Sequence, residues 1–361
     1  MNTNELLNQI CKEIKKIKLV DKNSNKILFG SKNYVSLPIT STNFKKIPDK
    51  INQDALLFVD GGNFELISSP NFSIQLIRLC ANLYKNNERI STQRFEFFCL
   101  INSESVGDKI NYKVHIFSQE KESKIHFKFL DGYLINSTHE SIVAAGKRAD
   151  IRSVVDVCRR LAEINFAKQV VENLNVDLGF VILDGVLETK YPIEKDLMDE
   201  LVFVANSKNF RVCSLAKSSN LFTDKAEPAV SFLNSKAQSD IWYCKNLVQI
   251  NCENHLAEIM FVKLNLHANY VFRFELGKTS LVEQIPLEKI EKVIWLLKEN
   301  SCDPVFLGYP YGLIEVDRFA RVSETEVSSL KTILISRLSS DKELVTGLNA
   351  FNAHSILDNI S

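Results

Sequence analysis

The sequence predicts an α/β protein: a mixed sheet flanked by helices, with an extra β-hairpin and an N-terminal helical arm. Three observations carry this. Apolar strand-like runs fall in two groups, near 55–130 and near 178–276. A long amphipathic helical pattern separates them. Further helical patterns alternate with the later strands, which is the layered order of a sheet covered by helices.

Residues 1–20 carry Leu6, Leu7, Ile10, Ile14 and Ile17 at helical spacing, with Lys12, Lys15, Lys16 and Lys18 opposite, and predict a short amphipathic helix. Residues 21–53 are rich in Asn, Ser and Lys and broken at Pro38 and Pro48. They predict an irregular arm, which either wraps a partner subunit or packs on its own domain. The β-rich core starts near Ala55. Apolar runs at 73–84 and 94–101 make a meander with it. Alternation over 110–117 and 124–130 predicts a hairpin, with His115 and His126 as ordinary residues on its two arms. A helix over 139–174 follows, striped by Ile151, Val154, Val155, Cys158, Leu161, Ala162, Phe166 and Val170. Next come a strand at 178–184, a helix at 194–207 and a strand at 210–216. An antiparallel pair at 257–265 and 270–276, a helix at 287–299, a short strand at 304–307 and two closing helices complete the chain. In domain terms this is an arm over 1–53 and one domain over 54–361.

The composition is that of a soluble globular protein: 361 residues, 45% hydrophobic and 24% charged. Lys+Arg and Asp+Glu balance at 44 each, so a nucleic-acid partner would need a localised basic groove. The 8 cysteines contain no Cys-x-x-Cys pair and sit mostly in apolar runs, which predicts buried free thiols in a reducing compartment. No run approaches membrane-spanning length and no apolar signal core opens the chain, so the expectation is a cytoplasmic protein without a membrane partner. A P-loop, a Gly-x-Ser-x-Gly elbow and a His-Glu-x-x-His pair are all absent, which removes the commonest ATPase, hydrolase and zinc-protease chemistries.

Two Asp-Gly steps stand out, in Leu56-Leu57-Phe58-Val59-Asp60-Gly61-Gly62 and in Phe180-Val181-Ile182-Leu183-Asp184-Gly185. Each is expected to close an apolar strand, presenting a carboxylate at a rigid strand end while the glycine turns the chain. Paired carboxylates attract a hard divalent cation, because two unit charges about 4 Å apart repel by about 4 kcal/mol at an effective dielectric near 20. The ordinary alternative is a turn-forming Asp. Glu163, at the edge of the helical stripe, could join them or pair with Arg159 or Arg160; Asp156, nearly two turns earlier, is its rival. Asp317, beside the stripe Leu313, Val316 and Ala320, faces the same choice between a site and an arginine. Lys217 closes an apolar strand and either holds a phosphate or caps the strand end. Arg148, Arg152, Arg159 and Arg160 give the long helix a positive side, and Tyr309 and Tyr311 could stack on bases or pack in the core.

Five blocks in order resemble the NurA-type nucleases, partners of the HerA ATPase: Phe58-Val59-Asp60-Gly61-Gly62, Arg160-Leu161-Ala162-Glu163, Ile182-Leu183-Asp184-Gly185-Val186-Leu187, Ser214-Leu215-Ala216-Lys217-Ser218, and Gly308-Tyr309-Pro310 with Asp317-Arg318. Ala353-His354-Ser355-Ile356-Leu357 is a weaker echo. The resemblance implies an RNase H-like fold and a Mn²⁺- or Mg²⁺-dependent DNA nuclease, both single-strand endonuclease and exonuclease. It implies a homodimer docked on a HerA-type hexameric translocase, resecting DNA ends for recombination and repair. Carried over by motif, Asp60, Glu163 and Asp184 are the metal ligands and Asp317 a fourth catalytic acid. Lys217, Tyr309, Arg159 and Arg160 are the DNA contacts. The chain departs from the pattern at Gly62, where the family usually has serine, and at Asp317, where some members have histidine. Two other readings stand beside this one: a catalytically inactive DNA-binding adaptor of such a translocase, and an RNase H-like enzyme acting on RNA-containing substrates.

Overall fold

The computed structural model describes residues 3–17, 24–49, 53–118, 126–143, 146–176 and 178–341. Helix α1 (Thr3–Lys16) is followed by the short strands β1 (Ile27–Leu28), β2 (Tyr34–Ser36) and β3 (Phe44–Lys46). Four long strands come next, β4 (Ala55–Ser69), β5 (Phe72–Lys85), β6 (Glu88–Val106) and β7 (Lys109–Phe117), then the short β8 (Leu134–Asn136). Helix α2 (Ser153–Glu172) leads to β9 (Gly179–Asp184), α3 (Glu194–Ser207) and β10 (Phe210–Ala216). The rest comprises β11 (Phe222–Thr223), α4 (Ala229–Lys236), β12 (Trp242–Cys244), β13 (Val248–Ile250), β14 (Ala257–Lys263), β15 (Phe272–Gly277), α5 (Leu287–Glu299), α6 (Tyr311–Ala320) and α7 (Glu324–Leu338). The chain is thus a mixed α/β protein with a large, mostly antiparallel sheet flanked by helices, the class expected from its sequence.

The chain gathers into two compact units. One comprises Met1–Asp54, Ile182–Glu188 and Arg211–Tyr311; the other comprises Ala55–Val181, Thr189–Phe210 and Gly312–Ser361. The second, the meander unit, is built on β4 to β8, each antiparallel to the next. Asn86 and Asn87 join β5 to β6 at φ 54° and 61°. Positive φ at both central residues is what a tight hairpin turn requires, and asparagine tolerates it. Alternation along β4 divides its side chains between two helical layers. Phe58 and Gly62 meet α6: a Cβ at Gly312 would lie 2.1 Å from the Phe58 ring, and one at Gly62 would lie 2.7 Å from the Ala320 carbonyl oxygen. Gly61 points the other way, where its absent side chain makes room for Glu163 of α2. Farther along β4, Leu66 and Ile67 bury against Val327, Leu330, Leu334 and Leu338 of α7. Helix α2 is apolar on most of its surface, burying Val154, Val155, Val157, Cys158, Leu161 and Ala162 in its first half alone.

The first unit pairs β12 with β14, β14 with β15, and β15 with β10, all antiparallel. Its core joins Ile27, Ile39, Phe232, Leu233, Trp242, Leu247 and Phe261. The expected irregular arm is not irregular throughout. Strand β1 pairs with β11, β2 with β13 and β3 with β12, so the arm packs on its own unit through backbone hydrogen bonds.

Other expectations need correction. The first Asp-Gly step does not close a strand: β4 runs on through Asp60, Gly61 and Gly62 to Ser69, held in register against β5. The long helix begins at Ser153, not at 139, because Gly146 adopts φ +70° and Asp150 folds a turn that receives the Arg152 amide. The hairpin arm at 124–130 is not a strand at 126–130, where the chain turns; β7 pairs instead with β6 and β8. Residues 119–125 lie outside the described residues, as does the Ala353–Leu357 echo. The segment 304–306 is a single 3-10 turn with Pro304 at its start and the Asp303 side chain as its cap, in place of a strand. The eight cysteines are free thiols, five of them buried. Among the described residues no helix is long and apolar enough to cross a membrane.

Candidate active-site residues

In the meander unit, Asp60 and Glu163 are both buried, at 7% and 6% exposure. Asp60 sits mid-strand, where the ladder to β5 fixes its backbone, and its Oδ1 accepts the Gly61 amide at 2.8 Å. Glu163 reaches β4 from α2 because Gly61 lacks a side chain there. One cation lies near both acids and pairs with Glu163. Arg159, one helical turn before Glu163, donates from Nη1 to Glu163 Oε1 at 2.5 Å and to the Gly61 carbonyl at 3.3 Å. Its pKa is raised, first by the charge of Glu163 and in lesser part by Asp156 and Asp60. The alternative weighed from the sequence, a Glu163–Arg159 ion pair, is therefore present, and it sits beside the first Asp-Gly step.

Asp60 also belongs to the face of the sheet covered by α6. Cys80 lies opposite it on β5, and the Asn82 side chain, next but one, donates to Glu315 Oε2 at 3.2 Å. Tyr84 also donates to Glu315 Oε2, and Arg89 donates to its Oε1 at 3.0 Å. Burial pushes the Cys80 thiol up to about 11, with Arg94 acting against it and the Asp60 and Glu315 charges adding to it. Glu315 was not singled out from the sequence, although it stands two residues before Asp317. The signal was Gly312: a glycine at a helix crossing puts the residue one turn later against the sheet. Asp317 itself pairs with Arg321 at 2.6 Å, the arginine alternative. Arg160 donates from Nε to Glu194 Oε1 at 2.9 Å, while Glu194 Oε2 receives the Lys190 and Tyr191 amides. Arg160 thus ties α2 to the start of α3.

The other unit holds the second set. Asp184 ends β9, and Gly185 follows at φ +97°, the sharp turn its sequence predicts. Lys217, just past the end of β10, lies 2.8 Å from Asp184 Oδ2. The Lys217 ammonium is also 6.0 Å from the centroid of the Tyr309 ring. That ring is buried, packed against Phe272 and Phe306 at 5.2 and 5.1 Å, so Tyr309 supports Lys217 from within the fold. The turn after Asp184 is anchored by a network that sequence reasoning missed. Glu275 is wholly buried; its Oε2 accepts the Leu187 amide at 2.7 Å and approaches His255 Nε2 at 2.9 Å, and its Oε1 accepts from Arg273 Nε at 2.7 Å. Burial alone would raise its pKa, but His255, Arg273 and the Leu187 amide hold it down to about 2. Tyr34 bridges His255 Nδ1 and Glu188, both at 2.9 Å.

The carboxylates are hard oxygen donors of the kind Mg²⁺ or Mn²⁺ takes. Among the described residues no group of three or more His, Cys, Asp or Glu side chains is gathered closely enough to hold a metal ion. Arg159 pairs with Glu163, and Lys217 pairs with Asp184.

The sequence matches no protein-family model and no curated protein. Among solved structures, an endonuclease V variant from Ciona intestinalis in complex with inosine-containing DNA shares 11% identity, covering 91% of this chain and 100% of that one, with a TM-score of 0.38. The catalytic domain of human endonuclease V shares 10% identity, covering 89% and 96%, with a TM-score of 0.34. An Argonaute from Aquifex aeolicus shares 10%, covering 76% of this chain and 29% of that one, with a TM-score of 0.28. We take no functional conclusion from likeness at this level.

Proposed function

We propose that the chain is a divalent-metal-dependent nuclease of the NurA type, hydrolysing phosphodiester bonds in DNA. The observation that carries this reading is the pair of buried carboxylates, Asp60 and Glu163, at the same stretch of β4, with the Arg159 guanidinium paired to Glu163 and close enough to feel the Asp60 charge. Burying two acids costs free energy that packing does not return, unless a cation is held there. A protein tolerates such a cost most often at a functional site. The ordered sequence blocks around Asp60, Glu163, Asp184, Lys217 and Tyr309 point to the same chemistry. A Mn²⁺ or Mg²⁺ held by such carboxylates would supply Lewis-acid chemistry for phosphodiester hydrolysis. By the resemblance, Asp60, Glu163 and Asp184 are the residues that would hold the metal. Asp317 adds a fourth acid. Lys217 and Arg159 supply positive charge for phosphate. A homodimer, a HerA-type translocase partner, DNA end resection and a cytoplasmic location complete the proposal.

One observation favours a second reading, the inactive DNA-binding adaptor: Glu163 is already neutralised by Arg159. A single assay separates the two. Labelled single-stranded DNA is incubated with the full chain in Mn²⁺, in Mg²⁺ and with chelator. Metal-dependent cutting that Asp60→Ala and Asp184→Ala each abolish is expected. Binding without cutting in either metal would replace the enzyme with the adaptor, and cutting confined to RNA-containing strands would move the substrate class.

A further inference from the structure

We infer that Arg94, stacked on Phe319 beside Arg89, is a positioning contact for a phosphate of a nucleic-acid strand bound at the exposed margin where α6 crosses β6. This rests on the nuclease reading for the identity of the anion. Alternation along β6 sends Phe95 and Phe97 into the core and Arg94 to the opposite face. The register Asp60–Cys80–Arg94 then sets Arg94 directly across from Asp60, two strand spacings or roughly 10 Å away. The Arg94 guanidinium carbon lies 4.3 Å from the Phe319 ring centroid, and that of Arg89 lies 5.3 Å from it.

The two arginines differ in how their charge is met. Arg89 is paired with Glu315 at 3.0 Å. Arg94 has no carboxylate within 4.0 Å among the described residues; its polar neighbour on β5 is the Cys80 thiol. Arg78, on the same face of β5, shows what a structural arginine does here: it pairs with both Glu96 and Glu326. Arg94 is instead exposed and held by an aromatic face. Stacking uses the flat side of a guanidinium and leaves its in-plane N–H fork directed outward, the geometry that binds a phosphate. A fixed, unneutralised arginine at the exposed margin of α6 is suited to hold an anionic strand beside the cut rather than at it.

The test is anisotropy titration of fluorescein-labelled single-stranded DNA with the full chain in chelator, at salt between about 50 and 200 mM. Arg94→Ala should weaken binding about tenfold at the low-salt end and reduce the slope of log K against log salt by roughly 0.7, the value for one phosphate contact on a single strand. Arg94→Lys should restore the slope but only part of the affinity, and Arg318→Ala, an exposed arginine on α6, should leave both unchanged. In Mn²⁺, Arg94→Ala should raise KM with kcat nearly kept. Should Arg94→Ala melt early, Arg94→Met keeps the stem on Phe319 and tests the charge alone. Unchanged slope and affinity in both variants overturns the inference while cutting by the wild type still upholds the enzyme. Binding lost in Arg94→Ala by a wild type that never cuts upholds the contact and sinks the nuclease, and no DNA binding by the wild type overturns both.

Discussion

The two Asp-Gly steps read alike in sequence and are built differently. At Asp60-Gly61 the strand continues for nine residues, and Gly61 is needed for space: a Cβ there would lie 2.7 Å from Leu79 and 3.0 Å from Glu163. At Asp184-Gly185 the strand ends, and Gly185 is needed for its backbone: φ is +97° and nothing stands within 4 Å of where a Cβ would be. The same dipeptide thus places one carboxylate by letting a helix approach and the other by letting the chain turn. The first is buried and fixed by ladders on its own strand. The second is 24% exposed and fixed by what holds the turn behind it.

The largest effect should come from breaking that anchor. Glu275→Gln removes the charge that Arg273 and His255 share and weakens the grip on the Leu187 amide. Breaking an ion pair whose carboxylate is wholly buried costs about 3–5 kcal/mol, so a fall in melting temperature of many degrees is expected. The pH dependence has a fixed sign. The folded pKa of Glu275, about 2, lies below the unfolded carboxylate value of about 4.3, so its contribution is complete above that value and fades as pH falls toward 2. Melting curves of the wild type should therefore drop through this acid window more steeply than those of Glu275→Gln. Parallel curves would remove Glu275 from the account of the turn.

The next test concerns the buried step. Arg159→Ala removes the cation that pairs with Glu163 and lies near Asp60. The variant should be less stable in chelator and should gain more from Mn²⁺ than the wild type does. A saturating metal at a hundred times its Kd adds about 2.7 kcal/mol, enough to read as a melting shift. An equal Mn²⁺ shift in both proteins would mean that Arg159 does not compete for the site.

What the sequence made legible follows from where its signals are local. The helices at 194–207 and 287–299 and the strands at 210–216 and 257–265 depend on periodicity within one segment, and they stand within two residues of expectation. The run past Gly61 was not legible, because a glycine that turns the chain and a glycine that admits a neighbour look identical without the neighbour. The arm was misread for a related reason. Strands of two or three residues, such as β1 and β3, are made by their partners β11 and β12 and carry no pattern of their own. Among the candidate residues, Asp60, Glu163, Asp184, Asp317 and Lys217 were singled out by type and context. Glu275 and Glu315 were missed because each belongs to a network whose members are distant in sequence: Glu275 meets Leu187 and His255, and Glu315 meets Asn82, Tyr84 and Arg89.

A smaller effect tests the two glycines against each other. Alanine at either should destabilise by about 1–3 kcal/mol, for overlap at Gly61 and for backbone strain at Gly185. Asparagine distinguishes them. It tolerates positive φ, so Gly185→Asn should be milder than Gly185→Ala; it is larger, so Gly61→Asn should be harsher than Gly61→Ala. The same order at both positions in denaturant titrations would erase the difference between the steps.

The smallest effect should be Lys217→Ala. The Lys217–Asp184 pair is 40% and 24% exposed, so solvent screens most of its attraction and stability should change by less than about 1 kcal/mol. Its consequence for DNA is another matter under the nuclease reading. Lys217 is carried at the end of β10 and backed by the Tyr309 ring, so its position outlasts the loss of its partner. Asp184→Asn should therefore leave DNA binding in chelator intact or slightly tighter, because it removes a carboxylate that competes with phosphate for the ammonium, while Lys217→Ala should weaken it. Weaker binding in Asp184→Asn would instead mean that the pair acts as a unit whose geometry, not its charge, meets the strand.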